Sequence, residues 1–592
     1  VKAISVKKAA TMLSLWPAAV NLLSVVAVLV VAASAGSPAA ILAPLVPLAI
    51  ILWRQRRTLR RRPKGVGGLG RYATSRFLLI AAAGAQLLLS GSAGALGIIA
   101  CAAALVVLVA EPILRATNGV AVPYAAGFPG HEARRRARFR YGWIFPLDVL
   151  ALTALLLAVL APVPLLVASL LLSLLAAALA VGAGLDIIGR IRARRAFQAR
   201  LEEHLTALGP VFYVYWDAPA RSAFQVSMWL PYLERLGVPF VLVVRSVATF
   251  RQLAAVTEQP LVLRRSLSDL DALMVPSVRG VFYVNNSMRN NHMVRYSALT
   301  HIQLLHGESD KASSATPIIK MYDRDFVAGQ AAIDRFETFD VPMPADIFRI
   351  VGRPQVEDVE GERGAIGALE EPSVLYAPTW LGYQEETNYS SLPAGPSIVR
   401  ALLDRGCRVV FRPHPYSSRS PELRAACREI REMLADDAAA TGREHLFGAV
   451  AEKEMSVVDC FNAADAMISD VSAVVGDFLH SGKPLAMVSP RTGAEEFVAT
   501  FPMARAAYVL VAEDGAVTNL QEGLTALLAS DPRREERLRW ATYYLGDIPR
   551  DGYAERFVQV ARQELGLDPV PTRDPAETGR EASPEVAPER TP

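Results

Sequence analysis

The run Ser469-Asp470-Val471-Ser472 breaks an apolar stretch, Ala466-Met467-Ile468, and precedes a helix-like pattern that reaches Gly482, with Lys483-Pro484 beyond. This order reads as strand, polar loop and helix N-terminus. Short hydroxyl and carboxylate side chains suit that place because they satisfy the N–H groups left without partners in a first helical turn. The same N–H groups, at the positive end of the helix dipole, attract phosphate. A capped helix with no functional role has the same pattern. Three further strand ends carry chemically useful groups. Ile302-Gln303-Leu304-Leu305 leads into His306-Gly307-Glu308-Ser309-Asp310-Lys311; a histidine there can serve as a general base or as a structural loop residue. Arg408 to Phe411 leads into Arg412-Pro413-His414-Pro415-Tyr416. The prolines stiffen the backbone around His414, and Arg412 offers a planar fork suited to phosphate, or simply a solvated turn. Tyr376-Ala377-Pro378-Thr379-Trp380 sets the Thr379 hydroxyl beside an aromatic plug.

The elements that must position these groups begin at about Val211, where short apolar runs alternate with amphipathic segments. Val211 to Tyr215, Phe240 to Val244, Gly280 to Val284, Ser373 to Tyr376, Arg408 to Phe411, Ala466 to Ile468 and Pro484 to Val488 read as strands. Strands alternating with helical stretches predict parallel sheets built from βαβ units. The length exceeds one sheet, so two Rossmann-like lobes are expected, residues 208–365 and 366–565, joined by the charged, glycine-containing segment Glu357 to Glu371. Ligands of such sheets bind beyond the carboxyl ends of the strands, which would gather the four motifs in the cleft between lobes. Residues 566–592, rich in Pro, Glu and Arg, read as a disordered tail.

The first 188 residues differ in kind. Three apolar blocks, Trp16 to Trp53, Phe77 to Leu114 and Ile144 to Ala183, are each nearly twice the length of one membrane-spanning helix and each has a central break of small residues or proline. Six spans in three helical hairpins are expected. Arginine-rich segments separate the blocks, and a basic linker, residues 189–207, follows them. The positive-inside rule then places both termini and the soluble half in the cytoplasm of a multi-pass cell-membrane protein. Of the ionisable residues only Asp148 lies well within a block, with Glu111 and Asp186 at block ends, so an anchor or platform is expected rather than a transport pathway. No signal-peptide cleavage site precedes a secreted domain.

Composition narrows the function. A net charge of +4 over 592 residues argues against a nucleic-acid partner. Cys101, Cys407, Cys427 and Cys460 show no paired spacing, so neither a disulfide framework nor a metal site is indicated, and no cofactor motif appears. Walker and GxSxG motifs are missing, and Gly65-Val66-Gly67-Gly68-Leu69-Gly70 lies in a membrane loop.

Taken in order, His306-Gly307, Tyr376-Ala377-Pro378-Thr379-Trp380, Arg412-Pro413-His414-Pro415 and Ser469-Asp470-Val471-Ser472 with Asp477-Phe478 and Lys483-Pro484 resemble the CDP-glycerol glycerophosphotransferase family of teichoic acid synthesis. Gly280 to Ser287 and the turn Val351-Gly352-Arg353-Pro354 resemble it too, and the likeness covers about residues 205–560. It implies a two-lobed GT-B fold and transfer of glycerol phosphate, or another polyol phosphate, from a CDP-polyol to a polyprenyl-linked or polymer acceptor with release of CMP. Homo-oligomerisation is left open. His306 becomes the base for the acceptor hydroxyl, with His414 a second catalytic candidate. Arg412 and His414 would face the donor diphosphate, with Thr379 a further contact, and Ser469 and Ser472 would bind phosphate oxygens. Asp470 would cap or orient, and Asp477 would contact the polyol or pack. Two positions depart from the family pattern: Glu308 replaces a small hydroxyl residue, and Ala473 the second serine of a Ser-Ser pair. The competing readings are a GT-B glycosyltransferase using a nucleotide sugar, and a scaffold or export component without catalysis.

Overall fold

A computed structural model describes residues 6–34, 36–60, 66–92, 94–131, 141–219, 222–307, 309–311, 314–381, 388–513 and 515–568. Glu308 and the tail 569–592 lie outside the described residues. The chain divides into two compact units, Val1–His204 and Leu205–Pro592.

The first unit contains helices α1 (Val6–Ala33), α2 (Pro38–Arg60), α3 (Ala73–Leu89), α4 (Gly94–Val120), α5 (Ile144–Leu157) and α6 (Pro162–Ala199), with a two-residue strand β1 (Ala125–Ala126). The turns fall at the expected breaks. Gly36 and Gly91 adopt φ of 83° and 69° between paired helices, a conformation that costs glycine little, and prolines begin α2 and α6. Four helices, α1, α2, α4 and α6, are long and apolar enough to cross a membrane. The other two, α3 and α5, have 17 and 14 residues, so length and composition support four spans where six were expected. Large apolar side chains cover the outside of this bundle: Leu22, Ile98 and Leu185 are 65, 64 and 66% exposed. Such a surface suits lipid rather than water.

Inside the same bundle is a charged cluster. Arg76 of α3 donates through Nη1 to Glu111 of α4 at 3.0 Å and to Asp148 of α5 at 2.6 Å. All three side chains are sealed from solvent. Gly70 N–H adds a 2.7 Å bond to Glu111, and the guanidinium lies 4.9 Å from the Phe145 ring centroid. The residues sit at one end of the bundle, near the start of α3 and α5 and towards the end of α4. The cluster therefore ties three helices together.

The second unit holds two sheets. In the first lobe, β2 (Phe212–Trp216), β3 (Phe240–Val244), β4 (Leu261–Leu263), β5 (Gly280–Tyr283), β6 (Thr300–Gln303), β7 (Arg324–Val327) and β8 (Phe348–Ile350) lie in the order β4-β3-β2-β5-β6-β7-β8, all parallel. In the second, β9 (Ser373–Ala377), β10 (Arg408–Phe411), β11 (Ala466–Ser469), β12 (Leu485–Ser489), β13 (Tyr508–Glu513) and β14 (Ala516–Val517) lie in the order β10-β9-β11-β12-β13-β14. Only the last pairing is antiparallel. The central strands β2, β9 and β11 are buried along their whole length, as sheets covered on both faces require. The last helix, Tyr553–Glu564, packs on the first lobe: Phe557 meets Trp229 at 5.2 Å, and Glu564 pairs with both Arg324 and Arg349. This is the expected α-helical region followed by a GT-B-like pair of Rossmann-like lobes.

Candidate active site

Both sheets reverse their winding direction beside their first strand, between β2 and β5 in one lobe and between β9 and β11 in the other. Loops leaving the carboxyl ends of strands diverge at such a point and leave a crevice. His306 and its neighbours come from β6, Thr379 from β9, His414 from β10 and Asp470 from β11.

His306 is oriented by backbone. Its Nδ1 lies 2.9 Å from the Val284 carbonyl, an acceptor only, so Nδ1 carries the proton and Nε2 keeps its lone pair. Gln225 Nε2 stands 3.3 Å from that atom, and Asn285 donates to Gln225 Oε1 at 2.9 Å, fixing the amide. Burial lowers the imidazole pKa below its usual value, and Arg353 lowers it further. Immediately before it, Leu305 has a φ of 51°, a left-handed conformation that costs a non-glycine residue roughly 1–3 kcal/mol. The Trp229 indole N–H, bonded to the Leu305 carbonyl at 2.6 Å, holds this backbone in place.

The second lobe meets this loop closely. A Cβ placed on Gly307 would lie 3.1 Å from that of Ala473, so glycine permits the approach of the His306 loop to the segment after β11. Arg353 clamps the contact. It pairs with Asp477 at 2.8 Å and reaches the His306 carbonyl at 3.4 Å.

Asp470 organises the floor of the second lobe. Fully buried, its Oδ2 accepts from Thr379 N–H at 2.7 Å and Ser391 N–H at 3.1 Å. Ser390 closes the loop by donating to the Thr379 carbonyl at 2.7 Å. Burial raises the Asp470 carboxyl to about 7, against the lowering influence of these hydrogen bonds and Lys311. Asp470→Ala would strand two buried N–H groups at about 1–3 kcal/mol each. Asp470→Asn retains an oxygen able to accept from both. Denaturant titrations should show a large loss for alanine and a small one for asparagine, and equal losses would refute the acceptor role.

His414 Nδ1 accepts from Tyr416 N–H at 3.1 Å, which leaves the neutral ring's proton on Nε2. Burial, Lys311 and Arg419 push its pKa down to about 4. At neutral pH His414 is therefore an uncharged donor, with Trp380 stacked 6.1 Å from its ring. Two predicted residues face protein partners instead. The Arg412 guanidinium donates to the carbonyls of Ala451 and Met455, the latter at 2.9 Å. The buried Ser469 hydroxyl donates to the Ala377 carbonyl at 2.7 Å. Ser472 precedes a seven-residue helix, Ala473–Leu479, in extended conformation, and its side chain makes no capping bond.

The structure thus sets His306 of the first lobe against the segment of the second lobe that holds Ser472 and Asp477, while Thr379, Asp470 and His414 follow strand ends of that same second lobe. Sequence reasoning missed Gln225, Lys311 and Arg353 as site residues. Arg353 sat in a turn already noted for its resemblance, and Lys311 lies five residues beyond His306. Gln225 carried no signal of its own.

The two lobes and this crevice define a GT-B-like fold. Residues 355–493 match the family described as CDP-Glycerol:Poly(glycerophosphate) glycerophosphotransferase, and the chain is glycerophosphotransferase-like on that segment. No curated protein matches it. Similar solved structures include the wall teichoic acid polymerase TagF soaked with CDPG, 11% identical with a TM-score of 0.40, covering 64% of this chain and 94% of that one. They also include a UDP complex of S. aureus MnaA, 14% identical with a TM-score of 0.40, covering 61% and 98%. A UDP-N-acetylglucosamine 2-epimerase is 14% identical with a TM-score of 0.39, covering 64% and 99%.

Proposed function

We propose that this protein transfers glycerol phosphate, or a related polyol phosphate, from CDP-glycerol to a membrane-linked acceptor, releasing CMP, in the synthesis of teichoic acid or a similar surface polymer. The observation that carries this reading is His306, its Nε2 lone pair preserved by the Val284 carbonyl, held against the segment after β11, which lies within the residues 355–493 that match the glycerophosphotransferase family. The first lobe takes the acceptor and the second the CDP donor.

His306 Nε2 removes the proton of the acceptor hydroxyl as its oxygen attacks the β-phosphorus of CDP-glycerol. The bond to the bridging oxygen breaks, and the electron pair leaves with CMP. Such transfer depends on positioning and on stabilising charge at the phosphoryl oxygens. His414 Nε2–H, Thr379 and the Ser472 hydroxyl serve the donor diphosphate. Asp470 orients the Thr379 loop, and Asp477 acts through Arg353. Arg412 and Ser469 support the walls of the site through their carbonyl contacts. The apolar helices hold the enzyme on the bilayer beside its acceptor, with the catalytic half in the cytoplasm.

Membranes containing the protein should release CMP from CDP-glycerol or CDP-ribitol when a lipid-linked acceptor is present, and the activity should sediment with them. Turnover of UDP-sugars with no CMP release would establish the glycosyltransferase alternative and sink this reading.

A further inference from the structure

The segment after β6 carries more than its histidine. Asp310, buried between the lobes, accepts from Met503 N–H at 2.8 Å and from the Tyr544 hydroxyl at 2.9 Å. The segment is thereby fixed to the second lobe one residue before Lys311. The Lys311 ammonium lies 5.4 Å from the Tyr389 ring centroid. Tyr389 directly precedes Ser390 and Ser391, the residues that hold Thr379 and Asp470. Lys311 is half-buried, and its ammonium makes no hydrogen bond or ion pair with a described residue.

A cation in that position is costly unless an anion completes it. We infer that the Lys311 ammonium contacts the diphosphate of the donor and stabilises the charge that develops on the transferred and leaving oxygens, a role that rests on the proposed reading of the site. Its electrostatic reach agrees. Lys311 depresses the His414 pKa and lowers that of Asp470, while burial lowers its own. Asp470, held at Oδ2 by two backbone N–H groups, does not pair with it directly. Base and cation thus sit on one strap, with Asp310 as the nail between them. As the acceptor O–P bond forms and the P–O bond to CMP breaks, negative charge grows on the CMP phosphate. A fixed ammonium there favours the transition state over the ground state.

The test uses the full chain in detergent, with CMP release from CDP-glycerol as one readout and calorimetric binding of CDP and cytidine as the other. Lys311→Met should lower kcat by about 10²–10³-fold and weaken CDP at least tenfold. Cytidine affinity should stay unchanged, and Lys311→Arg should recover part of both losses. A purely structural lysine would instead lower the melting temperature and leave CDP affinity alone. Lys311→Gln, closer in polarity, gives the same comparison should the methionine variant fold poorly. Wild-type kcat and CDP affinity in either variant would overturn the inference alone. Absence of CMP release by the wild type would overturn it together with the proposed function.

Discussion

Replacing His306 with glutamine should lower turnover by about 10²–10⁴-fold, the range that a positioned general base contributes, and should leave the fold intact. The ring is half-buried, and its replacement removes one contact to the Val284 carbonyl. As the proposed base the histidine would act through Nε2, because the carbonyl claims the only proton of the neutral ring at Nδ1. Protonation at Nε2 would abolish its function. Since burial and Arg353 lower the pKa, the active neutral form persists below the ordinary histidine value of about 6.5. The profile of kcat/KM against pH should stay flat through about 6.5 and turn down only at lower pH. The glutamine variant should lose that acidic limb. A downturn above 6.5, or a variant with wild-type turnover, would refute the base assignment.

Arg76→Ala should destabilise the helical unit as much as the most damaging apolar truncations. The change leaves the Glu111 and Asp148 carboxylates buried without their counter-charge. Breaking a buried pair in this way costs about 3–5 kcal/mol. A triple change, Arg76→Met with Glu111→Gln and Asp148→Leu, removes all three charges and keeps an acceptor for Gly70 N–H. It should recover most of the loss, because an apolar replacement avoids the desolvation penalty. Thermal melts in detergent read both effects. A triple variant as unstable as Arg76→Ala would show that the charges themselves hold the bundle, and an unaffected Arg76→Ala would show that they do not.

The legible part of the fold was the part written in local pattern. Strands β2, β3, β5, β9, β10, β11 and β12 coincide with apolar runs read from composition alone. Strands β4 and β8 have only three residues each, too few for a period of two to register. Strand β13, between β12 and the two-residue edge strand β14, alternates in burial, which weakens an apolar-run signal. In the helical unit the breaks were legible because glycine and proline act on their own backbone, whereas α3 and α5 proved shorter than a span.

Side-chain partners follow a different rule. Arg412 was legible as a phosphate fork and Asp148 as the one ionisable residue well within an apolar block. Arg412 instead faces carbonyls 39 and 43 positions later, and Asp148 pairs with Arg76, 72 positions earlier. Periodicity, caps and turn residues act within a few positions, so the sequence by itself determined the helical region, the two parallel lobes and the order of motifs at strand ends. A long cation takes whichever acceptors packing brings within reach, and its desolvation must be matched by partners distant in the chain. Tertiary structure alone therefore decided that Arg412 and Ser469 face protein, that Arg353 and Asp310 pin the His306 loop, and that the half-buried Lys311 ammonium rests on the Tyr389 ring with no ion pair among the described residues.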